Sequence, residues 1–185
     1  MEGTVDRLKD YSISFKGLKD GMHRFEYQIG ASFFDLFEEP LVESGELNAV
    51  VTLNKSQKLL VVDFDIKGRV NSICDKCLGP MVIDIESSER MYFNFGLEYS
   101  EQSEEIIVLP YEEHQINVAQ WIYEFIIVSL PLRHIHPDDE NGNPTCDPDM
   151  LEKLDEYIVG DGKVSENKED ISDPRWDALK KLMNK

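Results

Sequence analysis

Cys74 and Cys77 stand three positions apart in "SICDKCLGP", Ser72 to Pro80, and they are two of only three cysteines in the chain. Thiols at that spacing can clip a metal, run redox exchange, form a disulfide or simply pack. In a zinc knuckle, a tight turn points both thiolates at one ion. The glycine of C-x-x-C-x-Gly, here Gly79, lets backbone N–H groups approach the sulfurs. Two thiolates are half of a tetrahedral zinc site, so two more ligands are required. "HIHPDDENGNPTC" offers them: the third cysteine, Cys146, with His134 and His136. A redox pair fits less well, because a thioredoxin-type pair opens a helix that lowers the first thiol's pKa. Here Gly79, Pro80 and a strand-like "MVIDI" follow. A structural disulfide is disfavoured in a reducing compartment. Two half-buried thiols held by packing alone remain the plain alternative.

No catalytic set accompanies the cysteines. The sequence lacks a phosphate-binding glycine loop, a nucleophile elbow and an H-E-x-x-H helix. A zinc with four protein ligands is closed and structural. His23 and His114 read as surface or packing residues.

The elements that must position the thiols follow from periodicity. Tyr11, Ile13 and Phe15 alternate with polar residues, "KDG" turns, and Phe25, Tyr27 and Ile29 alternate again, which predicts a hairpin. "ASFFDLFEE" carries Phe33, Phe34 and Phe37 at the spacing of one or two helical turns. Period two returns at Leu47, Ala49, Val51 and Leu53, then at Val62, Phe64 and Ile66. After the cysteines it resumes at Ile83 and Ile85, then at Met91, Phe93 and Phe95. These segments predict an antiparallel twisted sheet, or a partial β-barrel. From Asn117, a good N-cap, residues Val118, Trp121, Ile122, Phe125 and Val128 predict one buried helix ended by Pro131. Trp121, Ile122 and Phe125 are the expected burials. Asp147 and Pro148 start a small helix through Tyr157, and "DPRWDALKKLMNK" predicts another at the C-terminal end, with Trp176 as its docking residue. The fold class is α+β: a single domain over 1–160, then a flexible linker and short helix over 161–185.

The chain carries 37 acidic and 19 basic residues, a net charge of −18. Residues 138–161 hold nine acids and one lysine. Solubility explains such acidity; so does a basic partner. Broad nucleic-acid binding rests on Lys and Arg neutralising phosphates, which this balance disfavours. The opening "MEGTVDRLKD" has no apolar stretch of a secretory signal, and "WIYEFIIVSLPL" is too short to span a bilayer. A cytoplasmic protein with no membrane contact is expected.

Taken in order, "CDKCLGP", "INVAQWIYEFIIVSLPLRHIH", Cys146 and "DPRWDALKKL" resemble the YceD-like family of large ribosomal RNA subunit accumulation proteins, over roughly residues 45–185. "CDKCLGP" looks like its C-x-[RK]-C-x-x-P signature. Many members have a fuller C-x-x-C-G cluster in the second half, where this chain has Cys146 alone. By position after Leu130 and Pro131, His136 is the better match to the family's histidine, which gives Cys74, Cys77, His136 and Cys146 as the expected structural zinc ligands. The resemblance implies a bacterial or plastid factor without chemistry of its own, needed for normal levels of large-subunit ribosomal RNA. Its expected partner is a basic large-subunit ribosomal protein or a pre-ribosomal particle, with ribosomal RNA contacted indirectly. Local RNA or partner contact is open to Lys67, Arg69 and Lys76, or to Arg175, Lys180 and Lys181. The alternative is a zinc-stapled protein-interaction module unrelated to the ribosome.

Overall fold

The computed structural model describes residues 8–38 and 40–157. The chain divides into two compact units, one ending at Cys146 and one starting at Asp147. The expected boundary near residue 160 therefore falls within the second unit. The linker and terminal helix expected beyond it lie outside the described residues.

The first unit is an open, mixed six-stranded sheet, not a barrel. In chain order its elements are β1 (Ser12–Ile13), β2 (Gly21–Ile29), α1 (Ala31–Phe34), β3 (Gly45–Lys55), β4 (Leu59–Ile73), β5 (Pro80–Gly96), β6 (Ser100–Ser103), β7 (Ile106–Pro110), β8 (Ile116–Asn117) and α2 (Ala119–Val128). The sheet runs β2-β3-β4-β5-β7-β6. Neighbours are antiparallel except β5 and β7, which are parallel. Period two sorts the faces. Leu47, Ala49, Val51, Leu53, Leu60, Val62, Phe64, Ile66, Ile83, Ile85, Met91 and Phe93 are all buried on the inner face. Asp63, Asp65, Lys67, Arg69, Asp84, Glu86, Ser88 and Arg90 alternate with them on the outer face.

The predicted hairpin over residues 11–29 does not form. β1 pairs with β8, Ser12 opposite Asn117 and Ile13 opposite Ile116. β2 instead runs the whole length of β3, from Gly21 opposite Lys55 to Ile29 opposite Leu47. Alternation specifies which face a residue buries, not which strand it pairs with. The long ladder with β3 offers β2 more backbone hydrogen bonds than the two-residue β1 could. Ile13 and Phe15 are nevertheless buried as expected. The Lys55 ammonium donates to the carbonyls of Phe15 and Leu18, holding the intervening loop.

α2 lies on the inner face. Ile122 and Ile126 are fully buried, whereas Trp121 and Phe125 are only half-buried. The expectation of three buried residues thus holds for Ile122 alone. The two aromatic rings pack edge-on against Phe93 and Phe64 at the helix flanks, where solvent still reaches them. Val128, read as apolar-facing, is exposed. The helix N-cap is Val118, one residue past the expected Asn117, and the Asn117 Oδ1 accepts from the Ala119 N–H at 3.0 Å. Its Nδ2 also donates to the Leu8 carbonyl, tying the helix start to the N-terminal segment. Phe37 stacks on Tyr123 at 4.1 Å, which brings the segment after α1 onto the helix.

Gly68 is where β4 needs a glycine. Its φ of +152° is closed to ordinary side chains, and a Cβ there would collide with the backbone of Glu46 and Leu47 in β3. In the second unit, α3 (Pro148–Tyr157) starts as expected, with Asp147 Oδ1 accepting from the Asp149 N–H.

Candidate metal centre

β4 and β5 form a ladder of fifteen registered pairs that ends with Ile73 opposite Pro80. The six residues between them are the knuckle. It is closed by two backbone hydrogen bonds of 2.9 Å, Leu78 N–H to the Cys74 carbonyl and Cys74 N–H to the Gly79 carbonyl. The residue in the left-handed conformation is Leu78, with φ of 57°. Gly79 has no such need. Its place matters through space, because a Cβ there would lie 3.4 Å from Cys77 Sγ and 3.6 Å from His136 Cε1.

The second half of the site comes from the segment after α2. Asp75 N–H donates to the His134 carbonyl at 2.6 Å, and His134 N–H donates back to the Asp75 carboxylate at 2.7 Å. Ser72 Oγ lies 2.8 Å from His134 Nδ1. His134 is therefore a clamp that holds the segment against the knuckle, a role its sequence position did not reveal. Two residues on, His136 turns inward. Its Nε2–H donates to the Pro80 carbonyl at 3.1 Å, which leaves the Nδ1 lone pair facing the sulfurs. Such a partner behind a ligating imidazole fixes its ring and tautomer.

The four expected ligands converge. Cys74, Cys77, His136 and Cys146 present donor atoms that all lie within 4.8 Å of one another. Cys74 and Cys146 sulfurs are 3.8 Å apart, and His136 Nδ1 is 3.4 Å from Cys77 Sγ and 3.7 Å from Cys146 Sγ. A tetrahedron with Zn–S of about 2.3 Å and Zn–N of about 2.0 Å has edges of about 3.8 Å between sulfurs and about 3.5 Å from sulfur to nitrogen. The observed separations match those edges. They exceed a disulfide bond of about 2.05 Å, and no disulfide joins any of the three cysteines. The thiols are buried and the imidazole is half-buried. Three soft thiolates with one imidazole form the donor set of a closed structural zinc site.

Electrostatics favour one thiolate first. Burial pushes the Cys74 thiol up, but the backbone N–H groups of Cys77, His136 and Lys76 outweigh it and bring it down to about 6. Cys146 is pushed up to about 11 by burial, then by Cys74 and Cys77 beside it. The Pro80 carbonyl, with Cys74 and Cys77, raises His136.

The basic residues singled out for RNA or partner contact are less free than their sequence suggests. Lys67 and Arg69 sit on the outer face, paired with Glu86 at 2.6 Å and Asp84 at 3.1 Å. Lys76 is exposed on the knuckle between the cysteines. Arg175, Lys180 and Lys181 lie outside the described residues. Among the described residues, no helix is long and apolar enough to cross a membrane.

The fold and site define a β-sheet domain whose longest hairpin ends in a Cys₃His cluster able to hold a structural metal. The family model of the large ribosomal RNA subunit accumulation protein YceD matches residues 62–183, and the chain belongs to that family. No curated protein and no solved structure matches the chain.

Proposed function

We propose that this protein is a non-enzymatic assembly factor that supports accumulation of large-subunit ribosomal RNA by binding a basic large-subunit protein or a pre-ribosomal particle. The observation that carries this is the family match, which runs through the knuckle, α2 and Cys146 as one block. The net charge of −18 supports a basic protein partner over direct phosphate contact, as do the ion pairs that occupy Lys67 and Arg69. Zinc serves as a staple. With Cys74, Cys77, His136 and Cys146 around it, no position is left for substrate or water. A reducing compartment such as the cytoplasm suits three cysteines that form no disulfide.

The test is depletion of the protein in its own cells. The ratio of large- to small-subunit ribosomal RNA should fall, and the tagged protein should sediment with precursor large subunits. An unchanged ratio with no co-sedimentation refutes the reading and leaves the zinc-stapled interaction module. Elemental analysis of protein purified without chelator or affinity metal should give one zinc per chain. Well under one removes zinc and leaves the ribosomal reading standing.

A further inference from the structure

Leu78 is doubly out of place. A branched, bulky side chain in the left-handed region is a backbone outlier, where glycine or asparagine would sit more easily. That side chain is also 67% exposed, so burial does not compensate for the strain. Strain kept in the face of an easy relief points to a use.

Leu78 does not stand alone. Ile73 and Val82 are large exposed hydrophobics at the same end of the β4–β5 ladder. Ile73 pairs with Pro80 and Val82 with Asn71, which puts them on the outer face, two rungs apart. Leu41, 77% exposed, lines with Ile73, Ser72 and His134 a groove of about 350 Å³ beside the knuckle. Ile135, between the clamp His134 and the ligand His136, is also exposed. Five large apolar side chains around one metal knuckle form the kind of patch that marks an interaction site.

The rim names the occupant's charge. Glu43 lines the same groove. Asp138, Asp139 and Glu140 follow His136 and Pro137, and no Lys or Arg occurs from His134 to Cys146. On the sheet side, the exposed Lys67 and Arg69 pair with Glu86 and Asp84, and near the knuckle Lys76 and Arg133 are the exposed bases set against these acids. An apolar centre whose surroundings carry more acids than bases (Glu43, Asp75, Asp138, Asp139 and Glu140 against Lys76 and Arg133) fits a protein segment that carries apolar side chains flanked by Lys or Arg. It does not fit a phosphate backbone.

We infer that the knuckle surface formed by Leu78, Ile73, Val82 and Leu41 is the docking face for a basic, apolar-bearing segment of a large-subunit ribosomal protein, with Leu78 as its anchor. This inference rests on the proposed function and deepens it. The metal holds the surface in shape, and the partner covers the apolar residues.

The test uses the full chain with Leu78→Asn and, separately, Ile73→Asn. Asparagine tolerates the left-handed conformation, so Leu78→Asn should keep the wild-type metal content and melt at or above the wild-type temperature. Its co-sedimentation with precursor large subunits should fall by about tenfold or more, as for an interface hot spot. A photo-crosslinking residue at position 78 should join the chain to large-subunit proteins through Lys- or Arg-rich peptides. Full co-sedimentation of both variants overturns the inference, as does crosslinking to ribosomal RNA, to a second copy or to this chain's own residues 158–185. Failure of the wild-type chain to co-sediment overturns the proposed function as well, which distinguishes the two failures.

Discussion

His136 holds its place in the cluster through one hydrogen bond at its far nitrogen. With Nε2–H fixed on the Pro80 carbonyl, Nδ1 has no choice but to face Cys77 and Cys146. Cys77→Ser removes a thiolate from a four-ligand site. Zinc content should drop well below one per chain. If about 3 kcal/mol is lost, the melting temperature should fall by about 10 °C in a domain of this size, read by thermal denaturation. The remote sheet should keep its β signature in circular dichroism. Metal affinity should also depend on pH, with a sign fixed by the ligands. Binding needs thiolates and a neutral imidazole, so it displaces protons from Cys146, raised to about 11, and from His136, also raised. Affinity should therefore strengthen as pH rises through neutrality, by about tenfold per unit for each proton displaced. As pH falls through about 6, the Cys74 thiolate is lost too, and release should steepen. Chelator competition across pH 5 to 8 (roughly the range between acid unfolding and thiol oxidation) reads this directly; a flat profile contradicts it.

At the scale of elements, what decides stability is which face each side chain takes. Ile122 is fully buried between α2 and the sheet, so Ile122→Ala should cost about 2–5 kcal/mol in denaturant unfolding. Val128→Ser, at a 79% exposed position of the same helix, should cost well under 1 kcal/mol. Gly68→Ala should be among the most damaging single-methyl changes, because both its φ and the Glu46–Leu47 backbone oppose a Cβ. The central strands were legible in the sequence because each buries one face, and Leu47 to Leu53, Val62 to Ile66 and Ile83 to Phe93 repeat every second residue. β6 was not legible: Ser100–Ser103 holds no apolar residue, and its hydrogen bonds to β7 leave no mark on composition. The parallel β5–β7 pairing was equally silent, since pairing partners are chosen in three dimensions. The ligands were half legible. C-x-x-C is a local signal and the family resemblance singled out His136, whereas the Pro80 carbonyl behind His136 and the Ser72–Asp75 clamp on His134, which give the two histidines their different roles, leave no mark in the sequence.

For the whole molecule, charge decides how a partner is met. Thirty-seven acids against nineteen bases set up a field that attracts basic proteins over a distance comparable to the Debye length, about 10 Å at 0.1 M salt. Association with precursor large subunits should therefore slow by about tenfold or more as salt rises from roughly 0.05 to 0.5 M, measured by stopped-flow or sedimentation. A salt-independent rate would contradict a charge-steered encounter.

The knuckle also gives the molecule a sense of time. Cys74 and Cys77 come together as soon as the β4–β5 hairpin closes, while Cys146 lies 72 positions from Cys74 and arrives only after α2 has been made and docked. Closing that distance is a non-local event, like the pairing of β1 with β8, and slower than the local closure of the β4–β5 hairpin. A metal ion caught early would be held by two sulfurs and exchange freely. Once His136 and Cys146 arrive, leaving requires four bonds to break together. The segment from His134 to Cys146 would then be held at both ends, by the Asp75 clamp on His134 and by Cys146 at the site. A metal held by all four residues would thus be captured in the order of synthesis, by two sulfurs before α2 is made and by the full set after it.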